Sequence, residues 1–214
     1  MRLSRRLFSS SSLATGRAAD PRLGARALEP EDGTWAIDTV ERLLARSPAR
    51  LAHSRHVAEQ ASKVGHLLSE PWRSALAEAA LLHDIGYASS LIDTGFHPLD
   101  GARWLRAQDR RPEVCRLVAW HTRARTEARL RGLEALLLAE FPAPPAAAQA
   151  VLTWADLTSS PTGEQCSPAI RISDILHRYG PAALVHQATL ANEAELLEDA
   201  RSVDDLVATL SDAR

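Results

Sequence analysis

The chain has 214 residues, 45% of them hydrophobic and 24% charged, with a net charge of −2. That length suits one good-sized domain, and the balance is that of an ordinary soluble globular protein. The small net charge gives no basic field for a nucleic-acid partner, and no apolar run reaches the roughly 18 residues of a membrane span. The two cysteines, Cys115 and Cys166, stand alone without CxxC spacing. This excludes a disulfide framework or zinc–thiolate site and fits a reducing, cytoplasmic setting.

The first twenty residues, MRLSRRLFSSSSLATGRAAD, carry four arginines and five serines before the first acid, Asp20. This composition mimics a mitochondrial transit peptide, but equally a disordered tail or an over-extended start. With the Pro/Gly-rich stretch that follows, residues 1–33 are set outside the fold. From Trp35 the pattern is helical: Ile37, Val40 and Leu44 follow a 3.6-residue period. Ser47-Pro48 opens a second helix, with proline in the first turn. Its stripe is His53, Val57, Ala61, Val64 and Leu68, while His56 shares a row with Gln60 and Lys63 that reads as a solvated face.

Pro71 opens a third helix, carrying Leu76, Ala80 and His83 on one row and Ala77, Leu81 and Asp84 on the next, with Gly86 placed as a left-handed cap. Pro98 opens a short fourth helix and Pro112 a fifth, with Val114, Val118 and His121 aligned. A sixth spans Leu130, Leu133, Leu137 and Phe141. A seventh has Ala148, Leu152 and Asp156 in an i, i+4 ladder. Ser167-Pro168 caps an eighth, and 181–211 reads as one helix and a short second. With no alternating β pattern of useful length, the expected fold is all-α. It consists of a main domain over 34–160 and C-terminal helices, 161–214, packed on it.

His53, His83, Asp84, His121 and Asp156 each lie on an otherwise apolar row. Burying these groups bare would cost several kcal/mol each, in order of magnitude, so something must pair them. A divalent cation would do so. His53, His83, Asp84 and Asp156 form a mixed nitrogen and oxygen set suited to Mn, Fe, Mg, Co or Ni rather than to a closed structural zinc site. His83 and Asp84 are adjacent, but at the last turn of a helix both can converge on an ion between their rows. A second carboxylate oxygen would let Asp84 bridge to another ion.

The segments HSRHVA, LLHDIG, HPLDGARWL, AWHT and ADL stand in the order and approximate spacing of the HD-domain superfamily of metal-dependent phosphohydrolases, which the chain resembles over about 35–160. The resemblance implies an all-helical bundle. It also implies that His53, His83, Asp84 and Asp156 hold metal and that His97 and His121 help hold a second ion. The implied reaction is hydrolysis of a small phosphorylated substrate, a nucleotide or other phosphoester. Its nucleophile is a water whose pKa one or two metals lower, with Asp84 and His83 as the catalytic pair. Tyr87 stands where many members place a lysine. Arg103, Arg106, Arg123 and Arg125 lie near candidate ligands in sequence. Since guanidinium matches phosphate geometry, Arg103, Arg123 and Arg125 are candidate substrate contacts, set against ordinary solvated arginines. Trp120 and Trp154 read as core. Two alternatives remain open at this point: an HD-fold di-iron oxygenase, and a non-catalytic nucleotide- or metal-binding regulatory module. Oligomeric state is also open.

Overall fold

The computed structural model describes residues 30–211, and they form an all-α protein. Residues 1–29, most of the expected tail, lie outside the described residues; 30–33 form the first turn of the first helix. The helices are α1 (Pro30–Leu44), α2 (Pro48–Val64), α3 (Trp72–Leu82), α4 (His97–Ala107), α5 (Pro112–Trp120), α6 (Ala124–Leu130), α7 (Glu134–Glu140), α8 (Ala146–Leu157), α9 (Pro168–Arg178) and α10 (Leu184–Ser211). Short 3₁₀ turns cover Gly65–Leu67, Ile85–Tyr87 and His121–Arg123. Among the described residues the β contact is a single isolated bridge, Ser159 to Gln165, and no helix is long and apolar enough to cross a membrane.

Proline fixes φ near the helical value and lacks an N–H that the first turn would leave unpaired. It stands in the first turn of α2, α4, α5 and α9, and at α9 the Ser167 hydroxyl also accepts from the Ile170 amide. The predicted α2 stripe is buried throughout, and α8 buries ten of its residues. α2 packs on α3 and α8, α3 on α5, and α4 on α5, around one continuous core. A smaller cluster of Leu157, Ile172 and Leu196 ties α9 and α10 to the end of α8.

Four local readings change. Ile37 is 48% exposed, and α1 turns Ala36, Val40 and Leu44 inward at strict i, i+4 steps. The predicted 130–141 helix is two helices, because Gly132 adopts φ +71 between α6 and α7. The final stretch is one unbroken helix, α10. Gly86 is no left-handed cap: α3 ends at Leu82, and Gly86 sits inside the 3₁₀ turn that follows. A side chain there is barred by close approach instead. A Cβ on Gly86 would lie 2.0 Å from the His97 carbonyl oxygen and 2.8 Å from the Gly101 nitrogen, both backbone atoms. The pair Gly86 and Gly101 therefore lets α4 dock against the end of α3.

Arg103 and Arg106 on α4 converge on Glu140 of α7, with contacts of 2.5 to 3.2 Å. The hydrogen bond from Arg103 lowers the Glu140 pKa; partial burial opposes the shift and Arg106 adds to it.

Two outcomes follow from this packing. Gly86→Ala forces backbone apart at the α3–α4 junction and should cost at least about 2 kcal/mol, read as a fall of several degrees in thermal midpoint. Glu140→Gln should destabilise by up to about 1 kcal/mol at pH 7. Because the folded pKa lies below the unfolded one, near 4.3, that stabilisation exists above the unfolded value and fades as pH falls through the folded one. Denaturation midpoints of variant and wild type should therefore converge between about pH 5 and 3.

Candidate metal centre

The six predicted ligands arrive from five helices and their ends. His53 lies in the second turn of α2, and His83 caps α3 with Asp84 next to it. His97 begins α4, His121 follows α5, and Asp156 stands one residue before the end of α8. The fold gathers them into two groups, His53 with His83 and Asp156, and Asp84 with His97 and His121. Within each group the ligand atoms lie within 4.8 Å of one another.

Backbone carbonyls fix the imidazole tautomers. Nδ1 of His83 contacts the Ala80 oxygen at 2.7 Å, Nδ1 of His121 the Val118 oxygen at 2.6 Å, and Nδ1 of His53 the Ser160 oxygen at 3.0 Å. A carbonyl only accepts, so each Nδ1 carries a proton and each ring turns its Nε2 inward. Each Nε2 faces another candidate ligand atom. Nε2 of His53 is 3.1 Å from Asp156 Oδ1, and Nε2 of His83 is 3.5 Å from Asp84 Oδ1. The same Asp84 oxygen lies 3.4 Å from Nε2 of His97, which stands 3.0 Å from Nε2 of His121. Acceptors brought together in a buried site need positive charge between them. The donor set thus fits a pair of divalent cations, with Asp84 Oδ1 facing ligands of both groups.

The electrostatics agree. Burial pushes the His83 imidazole down to about 4. Burial, with His121 opposite, puts His97 well below the usual histidine range. Burial also works against ionised Asp84 and Asp156. The charges of His83, Arg50 and His97 nonetheless hold Asp84 below the carboxylate range, and the His53 bond and charge do so for Asp156. His53 is buried too, but Asp156 outweighs that and raises its pKa. Ionised Asp84 and Asp156 beside neutral His83 and His97 suit a divalent metal, while at His53 the Asp156 carboxylate favours a proton on the nitrogen that a cation would otherwise face.

Several supporting residues have no strong mark in the sequence. Arg50, one turn before His53, pairs with Asp84 Oδ2, and its guanidinium lies 3.6 Å over the Tyr87 ring. Tyr87 in turn stacks on His97 at 3.9 Å. Thr122, at φ +48, donates its hydroxyl to Asp156. Buried Asp100 accepts the amides of Asp93, Thr94 and Gly95 and so fixes the loop that delivers His97. His56 is not on a solvated face: its Nδ1 is 2.8 Å from the Ser159 hydroxyl and its Nε2 2.9 Å from Gln60. That network holds the 159–165 loop against α2, where Gly163, at φ +82, packs on Ala52. Trp120 and Trp154 are buried, as expected of core residues.

The candidate centre opens into a cleft of two adjoining lobes, about 110 and 290 Å³. They share Arg50, His53, Asp84, Arg171 and Arg178. Arg103 and Arg125 are not among the residues lining either lobe. Arg103 is committed to Glu140 and Asp93, Arg106 to Glu140, and Arg125 to Glu134. Arg123 does line the cleft, but its guanidinium grips Asp199 at 2.6 and 2.7 Å and Glu195 at 3.0 Å, which anchors α10. The cleft arginines Arg171 and Arg178 come from α9, where their i, i+7 spacing with Ile175 between puts them on one face.

The HD domain family model matches residues 50–160, just over half of the chain. The chain belongs to the HD domain family. The matched segment runs from Arg50 to Ser160 and contains all six candidate ligands. Members are mostly metal-dependent hydrolases, and the donor set here likewise fits divalent metal. Comparison with curated proteins and with solved structures finds no match.

Elemental analysis of the chain loaded with manganese or iron should give two ions per chain, and His121→Ala should leave one. A wild-type count of zero would remove the basis of the site.

Proposed function

We propose that this HD domain protein is a hydrolase of small phosphorylated molecules, a nucleotide or another phosphoester, acting through two divalent metal ions. One observation supports the reading above others: six histidine and aspartate side chains bring their ligand atoms together in two groups, and five of the six residues line an arginine-bordered cleft. The metals would be held by His53, His83 and Asp156 on one side and by Asp84, His97 and His121 on the other. When bound they supply Lewis acidity toward a phosphoryl oxygen and a water acidic enough to attack phosphorus near neutral pH.

The chain's own residues supply the rest. Asp84 faces both ligand groups through Oδ1 and is held by Arg50 through Oδ2, so its carboxylate has a fixed direction toward the cleft. It orients the attacking water and takes its proton. His83 holds its tautomer through the Ala80 carbonyl and keeps its Nε2 beside Asp84. Arg50 and Arg171 border the same point and would offer charge-assisted hydrogen bonds to the phosphoryl oxygens. Arg50 thus brings a cation next to the position where Tyr87 replaces the family's lysine.

The test is a panel of phosphoesters assayed with the manganese-loaded chain. Phosphate release is expected, and Asp84→Asn should lower kcat by about 10²-fold or more with the fold retained by circular dichroism. Release that persists in that variant would belong to a contaminant. Oxygen consumption by the iron-loaded chain, with no phosphate released from any ester, would replace hydrolysis by an oxygenase reaction.

A further inference from the structure

The cleft reaches beyond the ligands, and its outer walls come from residues on either side of the matched segment. Ser47, Pro48 and Ala49, the opening of α2, line one lobe together with Pro161, Arg171 and Arg178. Arg171 and Arg178 are held side by side by one carboxylate, Asp174, at 3.1 and 2.7 Å. Arg171 is largely buried, its Nη2 4.0 Å from Asp156 Oδ1, and its buried Nε has no hydrogen-bond partner. The Ser47 side chain makes no capping bond, and the first turn of the 17-residue α2 borders the same lobe, which puts the positive end of the helix dipole there. The other lobe is walled by α10 with Val185, Ala188, Thr189, Asn192 and Leu196, spaced for one helix face and largely apolar.

Two carboxylates and three guanidiniums thus meet where the lobes join. Bound metals would answer Asp84 and Asp156, and Asp174 answers one cation of the Arg171–Arg178 pair. That leaves positive charge in the lobe beside the scissile position, more than one phosphoryl group needs. We propose that Arg171 and Arg178, with the first turn of α2, form a second anion subsite. The substrate then carries a further phosphate-type group besides the one hydrolysed, and its uncharged part rests on α10. This deepens the hydrolase reading and rests on it.

The probes are methylphosphonate and methylenebisphosphonate, one and two phosphonate groups without a bond this chemistry cleaves. Their dissociation constants are measured by calorimetry on the full metal-loaded chain, with metal content checked in every variant. Wild type should prefer the bisphosphonate, and R171Q/R178Q should cut that preference at least about fivefold. R178Q alone should cut it in part. R125Q removes an exposed arginine outside the cleft and controls for total charge; it should leave the preference unchanged. Comparing variants at equal metal content cancels the bisphosphonate's own affinity for metal. A preference equal in all four proteins, or one that R125Q lowers as much, overturns the subsite. Should R171Q/R178Q fail to fold, R178Q decides, since its side chain is 43% exposed. A chain that hydrolyses monophosphates without an arginine-dependent preference loses the subsite alone. An arginine-dependent preference in a chain that releases no phosphate removes only the hydrolase reading.

Discussion

The organising constraint is the meeting of hydrogen-bond acceptors in a buried place. A buried carboxylate facing an imidazole lone pair is unfavourable unless a proton or a metal stands between them. Here that happens at His53 with Asp156 and at His83 with Asp84, and His97 extends the set through the same Asp84 oxygen. The tautomers are set by helix ends. The last four carbonyls of an α-helix lack intrahelical partners. Ala80 and Val118 are such carbonyls, and each accepts from the histidine three residues ahead. One device thus satisfies an orphan acceptor, orients a ring and exposes Nε2 to the centre. Second-sphere bonds of this kind fix ligand geometry and raise ligand basicity.

Backbone geometry delivers the ligands at some local cost. Thr122 and Arg123 both hold left-handed dihedrals, uncommon for residues with side chains. The kink lets one chain turn place His121 in the centre, Thr122 on Asp156 and Arg123 against α10. Strain of this sort persists only where surrounding contacts over-determine it, and the bidentate Arg123–Asp199 pair is such a contact. On the other side, the Gly86–Gly101 approach brings the start of α4 against the end of α3, so that His97 reaches Asp84.

What the sequence made legible follows the same physics. Prolines at 48, 98, 112 and 168 mark helix starts because their dihedral is fixed in any context. The polar residues on apolar rows stand out because burial without a partner is costly. Gly86 shows why the rest was hidden: glycine permits both a left-handed turn and a backbone contact, and only the position of α4 decides which. Gly132 and α10 show the converse. A leucine-rich run with one glycine reads as continuous helix, and a weakly periodic acidic run reads as broken; tertiary packing settles both. Arg50, Arg171 and Arg178 carried no distinguishing mark among many arginines, whereas Arg103 and Arg125 owed their candidacy to nearness in sequence alone. Every one of these arginines holds a carboxylate, so position decides: Arg50, Arg171 and Arg178 line the cleft beside the candidate ligands, and Arg103 and Arg125 do not.

The distribution of labour along the chain is therefore uneven. Residues 50–160 contain every candidate ligand and the carbonyls that orient the rings, the part on which the chemistry depends. α9 and α10 contribute none of the candidate ligands, yet they wall the cleft and are tied down by Ile172 and Leu196 against Leu157 and by Arg123 against Asp199. Leu196 and Arg123 serve both purposes, since each lines the cleft and also fastens α10 to the rest of the fold. Selection among phosphorylated molecules would then be set by Arg171, Arg178 and the α10 face, while the proposed reaction would rest on the six candidate ligands, whose facing atoms a metal or a proton must separate.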